Sequence, residues 1–224
     1  MRFRWAIGMG MVCAVAATGC SSTPPTVRFG AAQPSGTKLS VHAPVGDYLP
    51  TAQWPNGCTL ISDDELKAIL PQASDFSRQE RALDLTSGIG FKSSTEHVPS
   101  AGCYIKFRLP AKSDGTNTSV NLMVLGIGDP ALVKAQLHDD LRAATDPTTV
   151  GTAWGGDECY SERFTLGVTN PKADCAAGQF DFEVSVYSNA DYFERKGFHD
   201  NSGLQELHDK VLPQVVRTVT AKMG

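Results

Sequence analysis

Two stretches of two-residue alternation constrain the fold of this chain most. In "QFDFEVSVYS", Phe180, Phe182, Val184 and Val186 alternate with Asp181, Glu183 and Ser185. In "CYIKFRLP", Ile105, Phe107 and Leu109 alternate with Tyr104, Lys106 and Arg108. Successive side chains of a strand point to opposite faces, so each stretch predicts a strand with one apolar and one polar face. "TSVNLMVLGIG" follows the Asp114-Gly115 turn, and residues 102–126 read as a hairpin. Further strands are expected near "CYSERFTLGV" and within "ALDLTSGIGFKSS".

A sheet with one apolar face needs a cover, and three helical segments can supply it. "ISDDELKAILP" carries an S-x-x-E capping box at Ser62 and Glu65, with Asp63 and Asp64 in its first turn. Leu66, Ile69 and Leu70 give it a buried face, and Pro71 closes it. Asp129-Pro130 opens a second helix, on which Val133, Leu137 and Leu141 form a stripe. "GLQELHDKVLPQVVRTVTAKM" lines up Leu204, Leu207, Val211, Val215 and Val219, and its internal Pro213 predicts a kink or a break. The expected class is α+β: an antiparallel sheet with helices packed on one face, in the order α-β-β(-β)-α-β-β(-β)-α.

The N-terminus is of another kind. Arg2 and Arg4 precede a run that stays apolar or small from Trp5 to about Ala17. That is shorter than the ~20 residues of a membrane span and reads as a secretory signal peptide. Ala17-Thr18-Gly19-Cys20 resembles the lipobox of bacterial lipoproteins, although Ala17 stands where that family usually has Leu. The resemblance implies cleavage after Gly19 and a diacylglycerol on the Cys20 thiol. Residues 21–50 contain five prolines and few large apolar side chains, so residues 20–50 read as a lipidated cysteine followed by a flexible tether. Val41 and Tyr48 are the places where this tether would dock. Residues 51–224 make a single domain.

Six cysteines are present. Cys13 leaves with the leader and Cys20 takes the lipid. Cys58, Cys103, Cys159 and Cys175 remain, and an even set outside the cytoplasm reads as two disulfides. Three connectivities are possible. Sequential pairing suits the strand layout, and such loops would contribute ~4 and ~3 kcal/mol in the chain-entropy model. No C-x-x-C pair occurs, so a zinc site is not expected. Loss of residues 1–19 removes two of the 20 Lys and Arg, leaving 18 against 24 acids. No basic cluster remains, and nucleic acid is not an expected partner.

A lipobox, a Pro/Thr-rich linker, the opening "GCTLISDDELKAIL" and the later strand "GCYIKF" together resemble a class of uncharacterised actinobacterial lipoproteins. These are similar in layout to the extracytoplasmic sensor domain of certain membrane serine/threonine kinases. The resemblance covers most of residues 50–224 and rests on Cys58, Leu60, the capped helix and Cys103. Ile61 replaces the second Leu of the family start. It implies that Cys58 pairs with Cys103, and it brings no catalytic residues.

Catalytic signatures are missing from the sequence. There is no G-x-S-x-G elbow and no P-loop. Ser35-Gly36-Thr37-Lys38 matches S-x-x-K but lies in the tether, with neither S-D-N nor K-T-G after it. "SGIGF" and "AWGGDE" read as turns. His42, His97, His138, His199 and His208 show no H-E-x-x-H spacing, and His138 and His208 fall on polar helix faces. Tyr192, Phe193 and Phe198, in the connection "NADYFERKGFHD", are candidate binding residues, as is Trp154. Their other reading is as caps on the end of the core. The expected protein is a lipid-anchored domain on the extracytoplasmic face of the cell membrane. It would bind a small molecule, lipid, envelope polymer or protein partner, with no catalysis, cofactor or metal. The alternative is a cell-envelope hydrolase with a non-standard active site.

Overall fold

The alternating stretches pair within one sheet. The computed structural model describes residues 26–85, 96–111, 118–162, 170–200 and 202–223. The leader, Cys20 and residues 86–94 of the expected early strand lie outside them. Seven strands are present among the described residues: β1 (Ser74–Leu85), β2 (Glu96–Arg108), β3 (Thr118–Ile127), β4 (Pro147–Thr149), β5 (Glu158–Glu162), β6 (Lys172–Ala177) and β7 (Phe180–Ser188). They lie in the order β1-β2-β3-β7-β6-β5-β4, and every neighbouring pair is antiparallel. The expected hairpin over 102–126 is the β2–β3 pair, with Gly102 opposite Met123. Strand β6 (Lys172–Ala177) is not among the strands expected from the sequence. Its small residues give no apolar alternation to read.

The helices are α1 (Asp63–Ile69), α2 (Pro130–Ala143), α3 (Asp191–Asp200), α4 (Ser202–Glu206) and α5 (Leu212–Thr220). The order is therefore α, three strands, α, four strands and three helices, with α3 formed where a connection is expected. A π turn, Leu207–Val211, joins α4 to α5. Pro213 has no N–H to give and its ring crowds the carbonyl four residues back, so the helix widens there and restarts.

Helices cover both faces, which corrects the expected one-sided packing. Leu66 and Ile69 of α1 and Val215, Val216 and Val219 of α5 share one core with Ile105, Phe107, Leu122, Val124, Phe182 and Val184. Val133 and Leu137 of α2 instead pack on Tyr160 and Ala176. These alternate with Cys159 and Cys175, which face the main core. The reason is topological. The chain must pass from central β3 to edge strand β4, across β7, β6 and β5, and the inner face is already occupied by α1 and α5.

The cysteines are joined as Cys58–Cys103 and Cys159–Cys175. Cys159 and Cys175 lie directly opposite each other in the β5–β6 ladder. At the first bridge a glycine precedes each cysteine, and both are needed. A Cβ on Gly57 would stand 2.7 Å from Gly102 Cα, and one on Gly102 would stand 2.4 Å from the Leu122 carbonyl oxygen. The Cα atoms of Cys58 and Cys103 thereby come within 4.7 Å.

Residues 26–50 are not the free tether that their composition suggests. Val27 and Leu49 are buried. The Gly30 N–H donates to the Ile69 carbonyl, the Leu39 N–H to the Lys222 carbonyl and the Ala43 N–H to Gln179. The segment is a strap across the helical side of the domain. Proline-rich composition hides this because the apolar side chains that dock, Val27, Phe29, Leu39, Val41 and Leu49, follow no helical or strand period, and backbone hydrogen bonds to the domain complete the attachment.

One carboxylate fastens the strap, α1 and the C-terminus together. Glu65 Oε2 accepts from the Ser62 N–H at 2.7 Å and Ser62 Oγ accepts from the Glu65 N–H at 3.2 Å, which completes the expected capping box. The same carboxylate accepts from the Ser35 N–H at 2.6 Å and from Lys222 Nζ at 2.6 Å. Both Glu65 and Lys222 are buried. Burial alone would raise the Glu65 pKa, but Lys222 and the Ser35 and Ser62 amides together hold it below the usual carboxylate value. Replacing Glu65 by Gln keeps a capping side chain but strands the Lys222 charge. The loss expected in urea unfolding is about 3–5 kcal/mol. Because the folded value is depressed, wild-type stability from this group is present above the unfolded carboxylate pKa and fades as pH falls through the lower folded value. The E65Q variant should lose that acid limb.

Candidate functional site

The outer sheet face carries a charged cluster that alternation alone places there. On β5, Tyr160 and Glu162 point outward; on β6, Lys172 and Asp174; on β7, Asp181 and Glu183. Register sets Glu162 opposite Lys172, Tyr160 opposite Asp174, and Asp174 opposite Glu183. The Lys172 ammonium stands 3.0 Å from Glu162, 3.3 Å from Glu183 and 3.6 Å from Asp174.

Two walls make this face a cleft of about 430 Å³. Asp140, Ala143 and Ala144 at the C-terminal end of α2 form one wall, Leu83, Asp84 and Leu85 of β1 form the other, and Leu125 contributes to the floor. In sheet order β1 is four places from β6, roughly 19 Å at ordinary strand spacing, so it must arch over the face to reach the cleft. The β1–β2 ladder slips in register between Arg81 and Leu83, which bends the pair there. Beyond the bend, Leu85, Val98 and Ala101 form a small cluster against which Leu83 and Met123 pack.

The electrostatics are one-sided. Five carboxylates line the cleft, from Asp84, Asp140, Glu162, Asp174 and Glu183, against the single ammonium of Lys172. Asp174 is 4% exposed, and its Oδ2 accepts no hydrogen bond among the described residues. Burial pushes its pKa up to about 7; Lys172 and the Tyr160 hydroxyl pull it down, and the charges of Glu183 and Glu162 push it up. Asp181, buried beside Asp174, is held well above the ordinary carboxylate range by burial and by the charges of Asp140 and Asp174. Burial opposes the Lys172 charge, but the surrounding carboxylates win and raise its pKa. No three His, Cys, Asp or Glu side chains among the described residues are arranged to hold a metal ion.

A second constellation has the distances of an acyl-transfer triad. His208 Nε2 lies 3.1 Å from Ser161 Oγ, and His208 Nδ1 lies 2.7 Å from Asp209 Oδ1. A nucleophile must also meet its substrate. Ser161 is fully buried on the inner face, so the row acts as a clamp from the π turn to β5. Trp154 packs edge-on against the same imidazole at 5.5 Å. His208 thus faces the interior, contrary to the solvated helix face expected for it. His138 does lie at the surface, 2.9 Å from Glu158.

Trp154, Tyr192 and Phe193, singled out from the sequence, do not line the cleft. Trp154 is buried beside α5 and His208. Tyr192 and Phe193 pack on Phe29 of the strap, with ring centroids 6.3 and 6.1 Å apart. The Phe198 side chain lies outside the description. Cleft residues Tyr160, Glu162, Lys172, Asp174 and Glu183 escape sequence reasoning because charged residues alternating along a strand look like a solvated face. No family model matches the chain, and no curated protein or solved structure is significantly similar to it.

Asp174 gives a pH test of this geometry. A carboxyl raised from ~3.9 in the unfolded chain to about 7 when folded makes stability fall as pH rises through that window. The fall attributable to this group is at most about 4 kcal/mol. Asp174→Asn should remove that slope and be more stable than wild type at pH 8, as read from thermal or urea unfolding between pH 4 and 8.

Proposed function

We propose that this protein is a lipid-anchored, extracytoplasmic binding domain that holds a small polar molecule in the cleft above β5–β7. The observation that carries this reading is the cleft itself, where buried charged groups gather on a face that contributes little to the core. Concentrating charge there opposes folding unless a ligand uses it. The main apolar interior, by contrast, is filled by α1, α5 and the strap, which disfavours an apolar carrier. The anchor reading draws on Arg2, Arg4, the short apolar run and Cys20, and the two disulfides suit an oxidising compartment. The likeness in layout to actinobacterial lipoproteins and kinase sensor domains points to the same location.

The envelope hydrolase reading keeps one observation in its favour. Asp174, titrating near neutrality beside Glu162 and Glu183, has the character of a general acid. The buried Ser161 row offers it no nucleophile.

Binding is checked on the full-length protein with a panel of amino acids, amino sugars, neutral sugars and diamines, with fatty acids as the contrast. At least one polar class should raise the melting temperature of wild type but not of Ala143→Trp, which fills the cleft from its exposed wall. Protection by fatty acids alone would overturn the reading. The anchor is checked by mass spectrometry of the membrane-extracted protein. The expected N-terminus is a diacylglycerol-modified Cys20, and an intact leader with a free Cys20 thiol would contradict it.

A further inference from the structure

We infer that the cleft takes an organic cation, a compact molecule whose primary ammonium pairs with Asp174 and whose aliphatic part lies on Leu83, Leu85 and Leu125. The inference rests on the binding role proposed above and names its ligand class. Two observations carry it. The first is the charge imbalance, five carboxylates to one ammonium around a single cleft. The second is Asp174, 4% exposed and lining that cleft, with an Oδ2 that accepts no hydrogen bond among the described residues. The Lys172 ammonium is 3.6 Å from this oxygen and is shared with Glu162 and Glu183.

A buried carboxylate oxygen whose one cation stands at 3.6 Å, beyond hydrogen-bond reach and shared with two other carboxylates, is under-satisfied, and a ligand that supplies a closer donor recovers part of that cost on binding. An ammonium suits the place, since it carries three donors and a full positive charge. Lys172 shows that the carboxylates already cradle such a group at 3.0–3.6 Å. An anion would meet the carboxylates as like charges. A neutral apolar molecule would leave Asp174 Oδ2 unsatisfied, so both are selected against. The leucines of the arched β1 and the β3 floor then set a requirement for a short hydrocarbon stem.

The test is calorimetric titration of the full-length protein, at low ionic strength, with three isosteric probes: 1,5-diaminopentane, 1,5-pentanediol and glutarate. The diamine should bind about tenfold or more tighter than the diol, and glutarate should give no heat. Asp174→Asn should weaken the diamine about tenfold or more, and Ala143→Trp should abolish its binding. Circular dichroism melting of Asp174→Asn establishes that the variant is folded when titrated. Equal binding of diol and diamine, or a diamine affinity unchanged in Asp174→Asn, overturns the inference. If the diamine is silent while another member of the polar panel still binds in an Ala143→Trp-sensitive way, the cation inference falls and the binding role stands. Silence from every polar probe removes both.

Discussion

One buried ion pair ties together parts of the fold that are far apart in sequence. Glu65 belongs to the first helix of the domain and Lys222 is near the end of the chain, 157 residues later. A buried pair of this kind adds little over a well-packed apolar substitute, because both charges must leave water. Its effect is on specificity. The Glu65 carboxylate also caps α1 and receives the Ser35 amide, so strap, helix and C-terminus are satisfied together only in this arrangement. Moving any one of them strands a charge or an amide in the interior.

That anchoring lets the sheet divide its labour. The inner face holds both disulfides and the continuous apolar core. The outer face holds α2 at one end and the Lys172 cluster beside it. Marginally stable proteins accommodate such unfavourable sites where stability is supplied elsewhere. Here the supply is physically separate: one face of the same strands builds the core, and the other carries the charges that a ligand could use.

The elements with local, self-contained signals were legible in the sequence. The capping box of α1, the Asp129 cap of α2, the β2–β3 hairpin and β7 all stand where their residue patterns put them. The elements decided by long-range contacts were not. Residues 26–50 carry a disordered composition yet dock through backbone amides. β6 is spelled in alanines and short polar residues, so only its neighbours β5 and β7 make it a strand. The cleft was invisible for a similar reason. Each of its charged residues looks solvated within its own strand, and the walls that enclose them come from α2 and β1, elements distant from them in sequence. His208 was misread likewise, because a helical wheel cannot show that a π turn rotates it toward Ser161.

The docked strap has a consequence for where the domain would sit. With Cys20 as the lipid site, only the chain from Cys20 to Val27 would separate the bilayer surface from the first buried side chain among the described residues. Even fully extended, seven residues reach about 25 Å. A coil through residue 50 would let the domain roam; with the lipid on Cys20, so short a leash would hold it near the headgroups, like a boat on a short mooring. Whatever the domain meets would have to come to the membrane surface.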